Sequence, residues 1–218
     1  MKVFVFGKTG QVAQELQRRS GDIEVVAYGR QDVDFSDTDT CINLVRDTDA
    51  DAVINAVAYT AVDKAEEDEA LALLINGTTP AAIAKACAAR GLPLVHISTD
   101  YVFDGQGVEP LGPDHATAPL GAYGRTKLAG EEGVRAPGGP HAVFRTSWGV
   151  SSHGNNFVKT MLRLGAERDG LNIVADQIGG PTPAAAIADT CLSAARQLVA
   201  DPSKTGTYHL SGGPDVSW

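Results

Sequence analysis

Tyr123 and Lys127 stand four positions apart in GAYGRTKLAGE, residues 121–131. On a helix that spacing puts both side chains on one face, about 5–6 Å apart at Cβ. A phenol with a pKa of about 10 is a poor acid-base group at neutral pH. A neighbouring ammonium favours the phenolate and brings that pKa toward the working range. The pair recurs by chance in many proteins, so its meaning depends on a third group. HISTDYVFDG, residues 96–105, offers one. Thr99 has a hydroxyl able to hydrogen-bond both a substrate carbonyl and the phenol, and Asp100 beside it is a candidate for binding substrate hydroxyls.

The elements that must position these groups follow from hydrophobic period. Short β-rich runs at 2–6, 24–28, 52–58, 92–98, 141–147 and 171–175 alternate with helical segments at 11–19, 38–47, 63–75, 78–90, 122–135, 155–168 and 183–200. That alternation predicts an α/β fold with a parallel sheet. Most strands are continuous apolar runs, so both faces should be covered, as in a Rossmann-like doubly wound sheet. Residues 1–147 are assigned to a dinucleotide-binding domain, and 148–218 to a partial substrate-binding region interleaved with it. The last stretch, GTYHLSGGPDVSW, reads as one more strand and a helix start with nothing after it to pack against. The expectation is a chain cut short relative to its kin.

GKTGQVA, residues 7–13, directly follows the first strand and opens the first helix. In such a turn Gly7 permits the bend, Gly10 lets backbone approach a pyrophosphate, and a small residue at Ala13 allows close helix packing. The helix N-terminus adds amide donors and positive dipole. After the second strand, Gly29 and Arg30 stand where a reader of the unmodified ribose usually carries an acid. A guanidinium suits a 2′-phosphate, so NADPH is favoured over NADH, with both usable. Asp34 and Phe35 are placed at the adenine end, Asp34 having the alternative of capping the next helix.

Composition narrows the partners. The chain has 218 residues, 43% of them hydrophobic, and a formal net charge of −9 with no run of basic residues. Nucleic acid and anionic membrane are therefore not expected partners. The acidic run DKAEEDEA at 63–70 reads as a solvated helix face. Cys41, Cys87 and Cys191 are isolated and odd in number, without zinc spacing, and no metal set is expected. VFVF is too short for a signal-peptide core, and a cytoplasmic location is expected.

Seven ordered stretches, GKTGQVAQELQ, NAVAYTAVDKAE, HISTDYVFDG, YGRTKLAGE, FRTSWGV, NNFVKTMLRL and DQIGGPT, resemble the dTDP-4-dehydrorhamnose reductase family of the extended short-chain dehydrogenases along essentially the whole chain. The resemblance implies reduction of a nucleotide-sugar ketone by NADPH or NADH. It implies Tyr123 as proton donor, Lys127 as the group that lowers its pKa and binds ribose, and Thr99 as the group that tunes the tyrosine and touches substrate. Asp100 and Trp148 match sugar-nucleotide contacts. Gly10, Gln11 and Val12 match the pyrophosphate loop, and Ala56, Val57 and Ala58 the strand end beside the cofactor. A homodimer, bridged by Mg²⁺ in some relatives, also follows from the resemblance alone. Asn155 and Asn156 are left between substrate contact and helix cap. A superfamily epimerase or dehydratase, or an idle NADP-binding regulatory homologue, are the alternatives. Tyr101 after Asp100 counts against the dehydratase, which pairs Asp with Glu there.

Overall fold

Along a strand successive side chains point to opposite faces, so a continuous apolar run forms a stable strand only where both faces find cover. The computed structural model, which describes Met1–Trp218, supplies that cover. In chain order the elements are β1 (Lys2–Phe6), α1 (Gln11–Arg18), β2 (Glu24–Tyr28), α2 (Thr38–Asp47), β3 (Ala52–Asn55), α3 (Glu69–Leu73), α4 (Thr79–Arg90), β4 (Leu94–Thr99), α5 (Ala122–Arg135) and β5 (His141–Thr146). There follow β6 (Gly149–Val150), α6 (Phe157–Glu167), β7 (Ile178–Gly179), β8 (Thr182–Pro183), α7 (Ala184–Ala200), β9 (Gly206–Leu210) and β10 (Val216–Ser217).

Six strands form one sheet in the order β2-β1-β3-β4-β5-β9, every neighbouring pair parallel. Val3, Val5, Ile54, Val95 and Phe144 face α1 and α7, where Leu16, Ile187 and Leu198 close the core. The alternate residues Phe4, Phe6, Val53, Leu94 and Val143 face the other way, against Cys41, Val45, Ile83, Cys87 and Val134 of α2, α4 and α5. All three cysteines are free and buried. The doubly wound α/β expectation therefore holds.

Several boundaries differ from the sequence reading, each for a local reason. The run at 52–58 leaves the sheet after Asn55, whose Oδ1 accepts from Val57 N at 3.0 Å and turns the chain out. The expected strand at 171–175 does not form, because the place beside β5 is taken by β9, and Ile173 and Val174 remain exposed. The tail is not a helix start: Val216 and Ser217 pair antiparallel with β7. The helix expected at 63–75 breaks into a 3-10 turn, Asp63–Glu66, and α3, which runs through a π turn, Leu74–Thr78, into α4. The resulting stretch Glu69–Arg90 is long and apolar enough by composition to cross a membrane. Its apolar residues Ile83, Ala84 and Cys87 are buried in the core instead.

β9 is a strand of the large sheet and α7 packs on its face, although both follow position 148 in the chain. A smaller lobe is left, built from α6 and two short two-stranded ladders, β6 with β8 and β7 with β10.

The acidic run is more than a solvated face. Gly121, at the N-cap of α5, has no side chain to cap with, and Glu66 supplies the acceptor from outside: its Oε1 takes the Ala122 N–H at 2.7 Å. Glu69 grips Arg125, one turn further, at 3.0 and 3.2 Å. A carboxylate here also complements the positive end of the helix dipole. Replacing Glu66→Ala is expected to lower stability by about 1 kcal/mol, the usual cost of a lost cap. A thermal or urea melt against wild type checks it, and an unchanged midpoint would show that water replaces the carboxylate without loss.

Candidate active site

The chain leaves β1, crosses to β2 on one side and returns to β3 on the other, so the loops after β1 and β3 part at the carboxyl edge of the sheet. Open α/β sheets hold ligands at such a switch point. A cleft of about 500 Å³ opens there, walled by Gly7 and Gly10 from the first loop, Arg30, Asp34 and Phe35 from the second, and Ala56, Val57 and Ala58 from the third. Gly7 has φ +112°, and a Cβ on it would lie 3.3 Å from the Ala56 carbonyl oxygen, so the bend is reserved for glycine. At Gly10 a Cβ would meet nothing within 4 Å. No side chain caps α1 and no acid lies in its first turn, so its amides and positive dipole end serve the cleft.

Gln11 and Val12 sit on the first turn of α1, outside the cleft walls. Val12 packs toward the core, and Gln11 Oε1 accepts from Asn156 Nδ2 at 3.0 Å. Asn156 also caps α6 by accepting from Lys159 N at 3.1 Å, which decides between the two readings left open for it. The cap of α2 is Asp37, bonded to Thr40 N; Asp34 instead closes a turn onto Ser36 N and Oγ. Phe35 is mostly core, edge-on to Phe6 at 5.4 Å. Asp32, in the same loop after β2, accepts from Gly29 N at 2.8 Å and Lys8 Nζ at 3.2 Å. Those bonds, Gly29 first, hold its carboxyl below the usual range.

The candidate proton-transfer residues lie beside this cleft. Tyr123, on the first turn of α5, packs with Tyr59 against Ala65, Ala72 and Ala122, and Tyr59 is itself a wall of the cleft. Burial pushes the Tyr123 phenol up to about 12; hydrogen bonding with Thr99 opposes this, while Asp100 and Tyr101 add to it. Thr99 Oγ1 donates to Asp100 Oδ1 at 3.0 Å and accepts from Tyr101 N at 3.2 Å. Asp100 is exposed to solvent, yet the protein around it desolvates the carboxyl and raises its pKa. Lys127 is buried, and its Nζ donates to Ile97 O at 2.7 Å. Burial brings its ammonium down to about 8, with Glu131 opposing. The lysine thus spends one N–H on strand β4, and desolvation rather than its charge sets the phenol's pKa.

Trp148 stands apart, in the smaller lobe, with its ring stacked on Trp218 at 3.6 Å and laid over Gly179. It is the one non-glycine residue with positive φ, +42°. It is half-buried rather than a core aromatic.

Sequence reasoning missed three contributors. Lys8 and Tyr59 wall the cleft. Asn76, fully buried in the π turn, accepts from Tyr59 N at 2.8 Å and donates to Tyr59 O at 3.2 Å and Thr126 Oγ1 at 3.1 Å. It ties the cleft wall to α5. A lone polar residue in the apolar run LALLINGTTP was the available signal. No group of three or more His, Cys, Asp or Glu side chains able to hold a metal occurs in the chain.

Comparison with known proteins agrees along the full length. The family model described as the RmlD substrate binding domain matches residues 1–218. A dTDP-4-dehydrorhamnose reductase of Salmonella typhimurium is 44% identical over 223 residues, covering 100% of this chain and 75% of that protein. A crystal structure of a dTDP-4-dehydrorhamnose reductase from Clostridium acetobutylicum superposes with a TM-score of 0.91 at 38% identity, covering 100% of this chain and 76% of that one. One from Bacillus anthracis, in complex with NADP, gives 0.91 at 36% identity with the same coverage.

The empty surroundings of the Gly10 Cα yield a discriminating test. Gly10→Val should leave the melting midpoint near wild type, because the side chain enters open cleft, yet weaken NADPH binding by about tenfold or more by blocking the backbone's approach to phosphate. Fluorescence titration with NADPH checks it. Undiminished affinity would remove the pyrophosphate from this loop.

Proposed function

The chain belongs to the dTDP-4-dehydrorhamnose reductase family, and from that premise we propose that it reduces the 4-keto group of dTDP-4-dehydro-L-rhamnose to dTDP-L-rhamnose, using NADPH or NADH. The observation that carries the reading is the adjacency of a dinucleotide cleft at the β1/β3 switch point to Tyr123, Thr99 and Lys127 at the neighbouring strand end. The cleft suits the cofactor: glycine where phosphate must approach, an uncapped helix N-terminus, and Arg30 and Lys8 among its walls, where Asp32 is bonded to Gly29 N and Lys8 and Asp34 to Ser36. Arg30, the wall cation without a salt bridge, favours NADPH.

The bound nicotinamide supplies hydride to the carbonyl carbon. Tyr123 gives its phenolic proton to the carbonyl oxygen, so one C=O becomes one CH–OH. A phenol pushed up to about 12 stays protonated across the physiological range, which is the state a proton donor needs. After transfer the phenolate must be stabilised. Thr99 can do this by turning its single O–H from Asp100 to Tyr123, and Lys127 by its charge, two of its three N–H donors having no partner within the chain. Asp100 and the half-buried Trp148 face the sugar nucleotide in this reading, with the smaller lobe as the substrate-binding part. The enzyme works in the cytoplasm, as a homodimer.

Mixing the protein with NADPH and dTDP-4-dehydro-L-rhamnose should consume NADPH absorbance with one equivalent of dTDP-L-rhamnose formed. Folded protein that binds NADPH but consumes none would overturn the reading. Tyr123→Phe should keep NADPH affinity and lose about 10²-fold or more in turnover, the scale of general-acid help; a rate near wild type removes Tyr123 from that role. The pH profile has a defined sign. Lys127 is charged below about 8 and neutral above it, so kcat/KM for reduction should fall as pH rises through that value. Lys127→Met should abolish that inflection, and a wild-type profile without it would deny the lysine's charge a part in catalysis.

A further inference from the structure

One buried charge cluster is used by none of the chemistry above. Glu131 lies one helical turn beyond Lys127 on α5, its side chain fully buried, and its carboxylate accepts four bonds. Ser98 Oγ donates at 2.6 Å, Arg145 Nε at 2.9 Å, Arg145 Nη2 at 2.7 Å and Arg135 Nη1 at 3.0 Å. Burial works to raise its pKa, but Arg145, Ser98 and Arg135 together outweigh this and hold it below the usual carboxylate range. Ser98 directly precedes Thr99. Arg145 comes from β5 and is as buried as its partner. A forked pair of this kind is directional as well as strong, so it fixes the rotation of α5 against β4 and β5.

Arg145 has a further nitrogen, and Nη1 donates it at 2.9 Å to the carbonyl oxygen of Pro113. Pro113 lies midway along the excursion at residues 104–117, which begins just past Thr99 and Asp100 and returns, through Ala118 N to Val102 O, just before Tyr123. The segment carries little that could hold it by burial: Val108 is 96% exposed. Phe103 lies under the guanidinium at 5.0 Å and edge-on to both His115 and His209. The excursion lies by β4, β5 and β9, away from the dinucleotide cleft between β1 and β3.

We infer that Arg145 is a positioning residue that latches the 104–117 segment to the proton-transfer helix through Glu131 and the Pro113 carbonyl, assembling the nucleotide-sugar side of the site before substrate arrives. The inference rests on the reductase reading for its substrate, though not for the latch. Catalytic chemistry remains with Tyr123, Thr99 and Lys127. The latch governs KM for the sugar nucleotide, because its Pro113 end lies on the substrate side, and as long as an ion pair to Glu131 is kept it leaves α5 and cofactor binding alone.

Arg145→Lys separates the latch from the ion pair: an ammonium still neutralises Glu131 but cannot reach Glu131 by a fork and Pro113 together. In this variant, amide hydrogen exchange across 105–117 should quicken relative to wild type, KM for the nucleotide sugar should rise about tenfold, the scale of one lost charge-assisted bond, and the NADPH dissociation constant should stay unchanged. Unchanged exchange overturns the latch. Quickened exchange with unaltered KM reduces Arg145 to a structural residue and equally overturns the inference, as does a matching loss of NADPH affinity. Should Arg145→Lys fail to fold, the double variant Glu131→Gln with Arg145→Gln, which removes both buried charges at once, carries the exchange and KM readouts. A wild type inactive on the nucleotide sugar would sink the reductase reading alone. The exchange measurement and the dissociation constant of dTDP then decide the latch.

Discussion

Helix α5 lies closer to its neighbours than any side chain at three of its positions would allow: at Gly133 a Cβ would run into that of Ala81. A Cβ on Gly124 would run into the carbonyl oxygen of Tyr101, and one on Gly130 into that of Asn76. Backbone meets backbone at both places, so the helix can neither rotate nor lift without opening a gap on one side. Tyr123 and Lys127 ride on that seating, and so does every distance between them, Thr99 and the dinucleotide cleft. Two bonds complete the constraint: Glu66 on the first amide, and Arg145 on Glu131 about two and a half turns along.

The seating is bordered by buried polar groups that an apolar core could have dispensed with. Asn55 bonds Val57 N and the His96 ring, Asn76 bonds both backbone groups of Tyr59, and Lys127 bonds Ile97 O. Asn55 holds the loop that leaves β3 and ties that strand to β4, Asn76 ties the same loop to the π turn, and Lys127 ties α5 to β4. Burying such groups costs free energy unless they are bonded in defined directions. The loops at the carboxyl edge are therefore held in single positions by orientation, which hydrophobic packing does not supply. His96 Nε2 is left without a partner, and burial, with Lys127 adding, keeps that ring well below its ordinary pKa and so neutral. A neutral ring can accept from Asn55 without bringing a second charge against the lysine.

Departures from the sequence reading cluster where a residue answers to a distant neighbour. The alternation of strand and helix, the glycine loop and the spacing of Tyr123 and Lys127 are local properties, since period and turn chemistry act over a few residues. The apolar run at 171–175 had the same local credentials as a strand, and lost because β9 fills the only sheet position beside β5. Asp34 had the chemistry of a helix cap, and Asp37 took the place because the turn onto Ser36 comes first. The acidic run at 63–70 reads as surface until Glu66 and Glu69 are seen to hold a helix about 55 residues away in the chain, a separation that gives no periodic signal.

By itself the sequence determined the α/β class, the two-faced sheet and the glycine loop, and it singled out Tyr123 and Lys127 as candidates for proton transfer, because each is written in spacing along the chain. Tertiary structure alone decided how those residues are tuned. Proximity in sequence set Lys127 beside Tyr123 on one helical face, but burial of both side chains and the carbonyl of Ile97 decided that the phenol is raised rather than lowered. It also decided that Arg145, in an ordinary strand of the sequence, joins a helix and a loop 14 and 32 residues away. Desolvation and long-range hydrogen bonding depend on what the fold brings together, and no local pattern carries that information.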